Sequence, residues 1–358
     1  MSQLKDNLKK TFLETIHIDE IYEEEDKIIT YTQDFLKSIG ITSKLDSFRN
    51  IIAYRDGVGE SVLLNTHLDT PENVPNLEYT IKGDIIRSTG KSILGADPKS
   101  GLAVLLELAR YLQENKIKTC PIELVFTRGE ETGLYGALNL DYSLLKSKTG
   151  LVLDEDGPCT NLVIKAPGFY RLDAKIIGKI VHPRDWKDGI NALEIAAKAL
   201  SKFKQGEIVK GVTCNVGMLK AGTARNTVPG IVELKAELRS FDMKKLKEQG
   251  KRVESILKAE AKKKGAKVEI DSTVEFESYT LDKSHPLFKK LKACYKALKL
   301  KPNYYPTFGG SDANVINSHG IRVVPMGSGY YLAHQYTEYV NLAEMEELTM
   351  LLLEFVKK

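Results

Sequence analysis

No stretch of the chain approaches the roughly 18 consecutive apolar residues that crossing a bilayer requires. The first twenty residues, MSQLKDNLKKTFLETIHIDE, hold no apolar segment of signal-peptide length and read as a charged amphipathic helix. The four cysteines, Cys120, Cys159, Cys214 and Cys294, lie far apart with no Cys-x-x-Cys pair. That excludes a disulfide framework and a zinc knuckle and reads as reduced core thiols. An excess of either charge is also missing, since 52 Lys and Arg stand against 48 Asp and Glu in 358 residues. Nucleic-acid binders concentrate a larger basic excess on one face. The densest basic run, 244–264, contains nine Lys or Arg, but Glu248, Glu254 and Glu260 interrupt it. Within it Leu246, Val253, Ile256 and Leu257 recur as the apolar side of a helix whose charged face is solvated. These absences lead to the expectation of a cytoplasmic protein with neither a nucleic-acid partner nor a membrane association.

The length suits about two domains rather than one small core. Helix alternates with strand from 27 to 157: a helix near 26–39, strands at 50–54 and 61–66, a helix over 99–114, a strand at 122–127, a short helix, and a strand at 150–153. Short continuous apolar strands between helices predict a buried, mostly parallel sheet. The texture changes near Gly168. Strands at 170–177, 213–219, 231–239 and 267–276, with helices at 190–203 and 243–264, predict a self-contained βαββαβ sandwich. A helix at 286–298, a strand at 322–326 and a helix at 342–356 then resume the first pattern. The expected fold is therefore α/β, a mostly parallel sheet flanked by helices, with an inserted α+β sandwich. The expected domains are 1–167, 168–278 and 279–358.

Acidic residues and histidine recur at one structural place, the carboxyl ends of predicted strands. His67 and Asp69 follow SVLLNT, Asp97 follows SILGA, Glu130 and Glu131 follow IELVFTRG, and Asp154 ends GLVL. Ligands of open α/β sheets bind outside those strand ends. Converging imidazoles and carboxylates are the donors of a hydrolytic zinc site. Two adjacent buried glutamates repel unless a cation neutralises one, which leaves the other free to act as a base.

In order along the chain, NTHLDTPENVP, ILGADPKSG, VFTRGEETGLYGA, LVLDEDGP and GSGYYLAHQYTE resemble the motifs of peptidase T-like co-catalytic zinc metallopeptidases, the group that includes carboxypeptidase G and acetylornithine deacetylase. IVHPRDWKDGINA, TCNVGMLKAGTARNTVPG and ELKAELRSFD resemble the inserted dimerisation and lid domain of that family, and TFGGSDANVI its substrate-side loop. The resemblance implies a zinc-exopeptidase fold and two divalent ions, zinc first, with manganese or cobalt also possible. It implies that Asp97 bridges the ions, that His67 and Asp154 complete one site, and that Glu131 and His334 complete the other. It further implies Glu130 as general base and Asp69 as the partner that orients His67. LDEDG offers two aspartates; Asp154 stands at the family's ligand position and Asp156 is the fallback. His182 is implied as an oxyanion donor across a homodimer formed through 168–278. Asn226, Arg239, Gly309 and Gly310 are implied as substrate contacts. His17, His285 and His319 match no ligand position and read as structural, and Tyr330, Tyr331, Tyr336 and Tyr339 read as packing.

The implied activity is release of the N-terminal residue from short peptides by metal-activated water. The alternatives are an N-acyl amino acid deacylase of the same family and a catalytically idle binding protein on the same scaffold. One position departs from the pattern: Asp97-Pro98-Lys99 stands where the peptidase T branch has Asp-Asp-Lys. Related enzymes have a cis bond after the bridging aspartate. That bond costs ~3–4 kcal/mol before most residues and ~0.5–1 kcal/mol before proline, so a cis Asp97–Pro98 bond is expected.

Overall fold

The computed structural model describes residues 2–18, 21–74 and 76–358. The chain forms two compact units. One comprises Met1–Ile164, Thr280–Thr307 and Ser311–Lys358; the other comprises Lys165–Tyr279 with Phe308–Gly310.

The first unit is built on a nine-stranded sheet whose centre is four parallel strands in the order Ile122–Thr127, Val62–His67, Thr149–Glu155, Arg322–Gly327. Val62–His67 and Ile122–Thr127 are buried at every position, as strands covered on both faces must be. Antiparallel strands flank these four, Ile51–Arg55 and then Ser43–Leu45 on one side and Asn161–Ala166 on the other, where Tyr279–Thr280 and Asn303–Pro306 pair with it in turn. Helix Ala96–Glu114 buries Leu102, Leu105, Leu106, Leu108, Ala109 and Leu112. A Cβ at Gly101 would lie 2.7 Å from both the Leu153 carbonyl and Thr66 Oγ1. Glycine is what lets this helix approach so closely the two strands that carry His67 and Asp154.

Helices Gln3–Ile16 and Leu342–Val356 pack on Ala96–Glu114. The first buries Leu4, Leu8, Phe12 and Ile16, one helical stripe; residues 1, 19 and 20 of that amphipathic segment lie outside the described residues. A small antiparallel sheet joins Tyr79–Lys82 and Ile85–Ser88 to Tyr339–Asn341 and Tyr330–Tyr331. The alternation pattern did not reveal it, because its strands are too short to show a period.

The second unit is an antiparallel sheet in the order Gly206–Val209, Val212–Ala221, Ile231–Ser240, Gly168–Ile177, Lys267–Phe276. Burial alternates strictly along Gly168–Ile177. The inward residues Tyr170, Leu172, Ala174 and Ile176 pack with Ile195, Ala196, Leu246, Val253 and Leu257 of helices Ala192–Leu200 and Met243–Lys263. The expected βαββαβ order is present with one further strand, the short Gly206–Val209 that pairs with the start of Val212–Ala221. Phe308–Gly310, expected with the last segment, groups with this unit instead. Arg239 Nη1 donates to the Phe308 carbonyl at 3.0 Å, the Phe308 ring meets Phe241, and Gly310 lies against the Phe276 ring.

The basic run forms the long helix of this unit, and its buried glutamates, Glu254 and Glu260, pair with its lysines. Glu254, 5% exposed, accepts from Tyr170 Oη at 2.5 Å, Ser272 Oγ at 2.8 Å, Lys251 Nζ at 3.0 Å and Lys258 Nζ at 3.3 Å. Burial alone raises this carboxyl, but the hydrogen bonds from Tyr170, Lys251, Ser272 and Lys258 outweigh it and hold the group down at about 2. A carboxyl depressed in the folded state stabilises the fold above its unfolded pKa of about 4.3, and that contribution fades as pH falls towards 2. Glu254→Gln is expected to cost about 1–2 kcal/mol at pH 7. The gap between variant and parent should narrow in denaturation curves taken below pH 4.5, where the parent loses the same interaction. A gap independent of pH would contradict this account.

Cys120, Cys159, Cys214 and Cys294 are all free and buried, as the spacing predicts. Among the described residues no helix is long and apolar enough to cross a membrane.

Candidate metal centre

All the elements of the site belong to the first unit. Val62–His67 ends on His67, and Asp69 follows two residues later, fully buried. Ile122–Thr127 ends at Thr127, and Gly129, with φ +61°, turns the chain so that Glu130 and Glu131 follow directly. Asp154 lies near the end of Thr149–Glu155. Asp97 opens the helix Ala96–Glu114 with a non-helical backbone, and the Asp97–Pro98 bond is cis, as expected. The buried Lys99 donates from Nζ to the Leu68 carbonyl at 2.8 Å, tying this helix start to the turn between His67 and Asp69. His334 lies beyond Arg322–Gly327 with a left-handed backbone, φ +62°.

Asp97 stands between the two histidines. Its Oδ1 is 3.0 Å from His67 Nε2 and its Oδ2 is 3.6 Å from His334 Nε2. His67 Nε2 also lies 3.3 Å from Asp154 Oδ1, and His67 Nδ1 lies 3.4 Å from Asp69 Oδ1. His334 Nε2 is 3.0 Å from Glu131 Oε1. Asp69 has a second task, since its two carboxylate oxygens accept the backbone N–H groups of Glu130 at 3.0 Å and Glu131 at 3.1 Å. Asp156, the fallback, takes a backbone hydrogen bond from Leu332, and burial raises its carboxyl to about 6.

Charge in this pocket is unbalanced. Burial and then the Asp154 carboxylate push Glu130 well above the usual carboxylate range; burial and the Asp97 charge raise Glu131 to about 7 against a hydrogen bond from His334. Burial also raises Asp154. Hydrogen bonds to Asp97 and Glu131 hold His334 up at about 10, and against burial Asp154, Asp69 and Asp97 together raise His67. Donor atoms of His67, Asp97 and Glu131 lie within 4.8 Å of one another. Crowded, desolvated carboxylates with imidazole nitrogens at this spacing are what a divalent cation neutralises, so the residues fit a metal.

Two buried acids here were not singled out in the sequence. Glu338, 1% exposed, accepts the backbone N–H groups of Leu94, Gly95 and Asp97. Asp312, also 1% exposed, accepts from Thr127 Oγ1, and its Oδ1 is buried without a hydrogen-bond partner. The only signals were their places in HQYTEY, four residues after His334, and in GGSDAN.

The remaining sequence candidates lie in the second unit. His182 is exposed and caps the short turn Pro183–Asp188, accepting the Arg184 N–H at Nδ1. Asn226 and Gly309 are exposed. Arg239 pairs with Glu237 through Nε and Nη2, besides its bond to the Phe308 carbonyl. Gly310 is half-buried beside Phe276. The histidines read as structural do structural work: His285 caps helix Pro286–Ala297 and His319 stacks on Tyr142 at 3.8 Å. His17 lies against Tyr79. Tyr330 is buried and Tyr331 stacks on Tyr339, while Tyr336 is half exposed.

A parallel sheet with histidine and carboxylates gathered at its strand ends is the architecture of a metallopeptidase, and over residues 63–358 the chain matches the model of peptidase family M20/M25/M40, to which it belongs. Within that family it is peptidase T-like. It is 32% identical to a tripeptidase from Staphylococcus aureus, with a TM-score of 0.89 over 98% of this chain and 97% of that one. It is 30% identical to the aminopeptidase PepT from Bacillus cereus, with a TM-score of 0.84 over 98% of each chain. Peptidase T of Escherichia coli is 24% identical over 84% of this chain and 73% of its own length. The protein is a peptidase of this metal-dependent family.

Proposed function

We propose that the enzyme is a dinuclear aminopeptidase that removes the N-terminal residue of short peptides, tripeptides among them. The observation that carries this reading is the placement of Asp97, one carboxylate with a different histidine facing each oxygen. On this reading Asp97 bridges two ions, His67 and Asp154 hold one, and Glu131 and His334 hold the other. Nitrogen and carboxylate donors suit zinc first, and manganese and cobalt also match them. When bound, such ions would supply the Lewis acidity that lowers the pKa of a water and polarises the scissile carbonyl.

Glu130 then takes the proton of the attacking water and hands it to the leaving amine. Asp69 orients His67 and, by holding two backbone amides, sets the direction of Glu130 and Glu131. The similarity to a tripeptidase and an aminopeptidase supports the choice of substrate. His182 serves as an oxyanion donor to the partner copy of a homodimer formed through 168–278. Support for that surface comes from Met218 and Leu219, both exposed on Val212–Ala221 beyond the stretch that Gly206–Val209 covers. Asn226, Arg239, Gly309 and Gly310 contact substrate, and Arg239 does so through the loop it holds at Phe308. Four free buried cysteines accord with a cytoplasmic setting.

The test is release of free alanine from Ala-Ala-Ala by zinc-loaded protein that sediments as a dimer, before and after chelation. Release that chelation abolishes and added zinc restores is expected. Hydrolysis of acyl amino acids without hydrolysis of peptides would move the assignment to the deacylase. Metal uptake with neither activity would leave an idle binding protein.

A further inference from the structure

Glu338 lies four residues after His334, and its carboxylate meets the loop that delivers Asp97. Its Oε2 accepts the Leu94 N–H at 2.7 Å and the Gly95 N–H at 2.8 Å, and its Oε1 accepts the Asp97 N–H at 3.0 Å. Three backbone N–H groups just before the Asp97–Pro98 bond thus hang on one carboxylate that is 1% exposed. The main chain of Glu338 is fixed as well: its N–H donates to the Gln335 carbonyl at 2.9 Å, and its carbonyl accepts the Ser88 N–H at 3.0 Å. The tight turn Gln335–Glu338 therefore joins His334 to the group that holds Asp97. His334 itself approaches Asp97 Oδ2 at 3.6 Å and Glu131 at 3.0 Å.

We infer that Glu338 is a positioning residue that sets Asp97 against His334, and so sets the affinity for the ion these two share with Glu131. The inference rests on the two-ion reading above. The chemistry favours a carboxylate here and disfavours its isosteres. A carboxylate is purely an acceptor and satisfies three N–H donors with two oxygens. An amide presents its NH2 to at least one of those donors, so the loop must shift, and Asp97 shifts with it. Partners that orient a ligand cost 10–100-fold in metal affinity when removed.

The experiment is calorimetric titration of zinc into metal-free wild type and Glu338→Gln, with a melting curve of each metal-free protein. Glu338→Gln is expected to fold, to bind one ion about as the wild type does, and to bind the other about 10–100-fold more weakly. Equal affinities for both ions, with or without a lower melting temperature, would show that the role is only structural and overturn the inference. If Glu338→Gln does not fold, Glu338→Asp carries the test. It keeps the charge on a shorter arm and is expected to show a smaller loss confined to the same ion, whereas wild-type affinities for both ions would overturn the inference. Failure of the wild type to take up two ions overturns the two-ion reading itself, and is thereby distinct from failure of the Glu338 role.

Discussion

Glu130→Gln is expected to retain the fold and the full complement of metal and to lose about 10²–10⁴-fold in kcat, the range of a positioned general base. The backbone N–H of Glu130 is anchored on Asp69, as is that of Glu131, but their side chains have different company. Glu131 reaches His334 and belongs with His67 and Asp97 in the donor cluster, whereas no hydrogen bond fixes the Glu130 carboxylate among the described residues. Glutamine keeps the size and the anchoring and removes only the capacity to accept and return a proton. Metal analysis and steady-state kinetics on one preparation decide the matter. Loss of metal together with activity would make Glu130 a ligand, and turnover within about tenfold of the wild type would remove it from the reaction.

Asp97→Asn is expected to be the more drastic change, with activity lost and metal content falling from two ions to at most one. Asp97 presents one oxygen to His67 at 3.0 Å and the other to His334 at 3.6 Å, and an amide oxygen is a weaker ligand that carries no charge. In the metal-free pocket the Asp97 charge is favourable on balance, because hydrogen bonds from His334 and His67 outweigh burial and hold this carboxyl far below the usual carboxylate range. Two melting experiments separate that loss from the effect of the metal. Metal-free Asp97→Asn should melt lower than metal-free wild type at neutral pH, while zinc should raise the melting temperature of the wild type and leave the variant nearly unmoved, since an ion stabilises only the state that binds it. A variant that zinc stabilises as strongly as the wild type would contradict the bridging role.

Periodicity alone located most of the elements. The helix over 342–356 and the strands at 122–127 and 267–276 appear at the expected residues, because long apolar stripes and strict alternation are local properties of a chain packed against one core. The chemistry was legible for a related reason. In a parallel sheet all strands point one way, so acids placed just after separate apolar runs share an end of the sheet wherever the strands lie in its order. That placed His67, Glu131 and Asp154 together without any knowledge of pairing. Asp97, expected after a strand SILGA, instead follows a segment that forms no strand and reaches the site at the start of helix Ala96–Glu114. The cis bond after Asp97 was implied by the family resemblance, with proline lowering its cost.

Other features depended on which distant segments meet. The choice between Asp154 and Asp156 was open in LDEDG, and it is the strand register that sets Asp154 at 3.3 Å from His67 while Asp156 turns to Leu332. Glu338 could not be read at all. Its hydrogen bonds run to Leu94, Gly95 and Asp97, more than two hundred residues away, and an isolated glutamate in HQYTEY resembles any surface acid. Asp312 is similar, an ordinary first-turn residue of a short helix until Thr127 and the buried pocket surround it. The residues that bear the chemistry were set by the sequence through local pattern and strand direction. The residues that hold them in place were decided by tertiary structure, since a carboxylate becomes a clamp only where backbone donors from elsewhere in the chain are brought to it out of water.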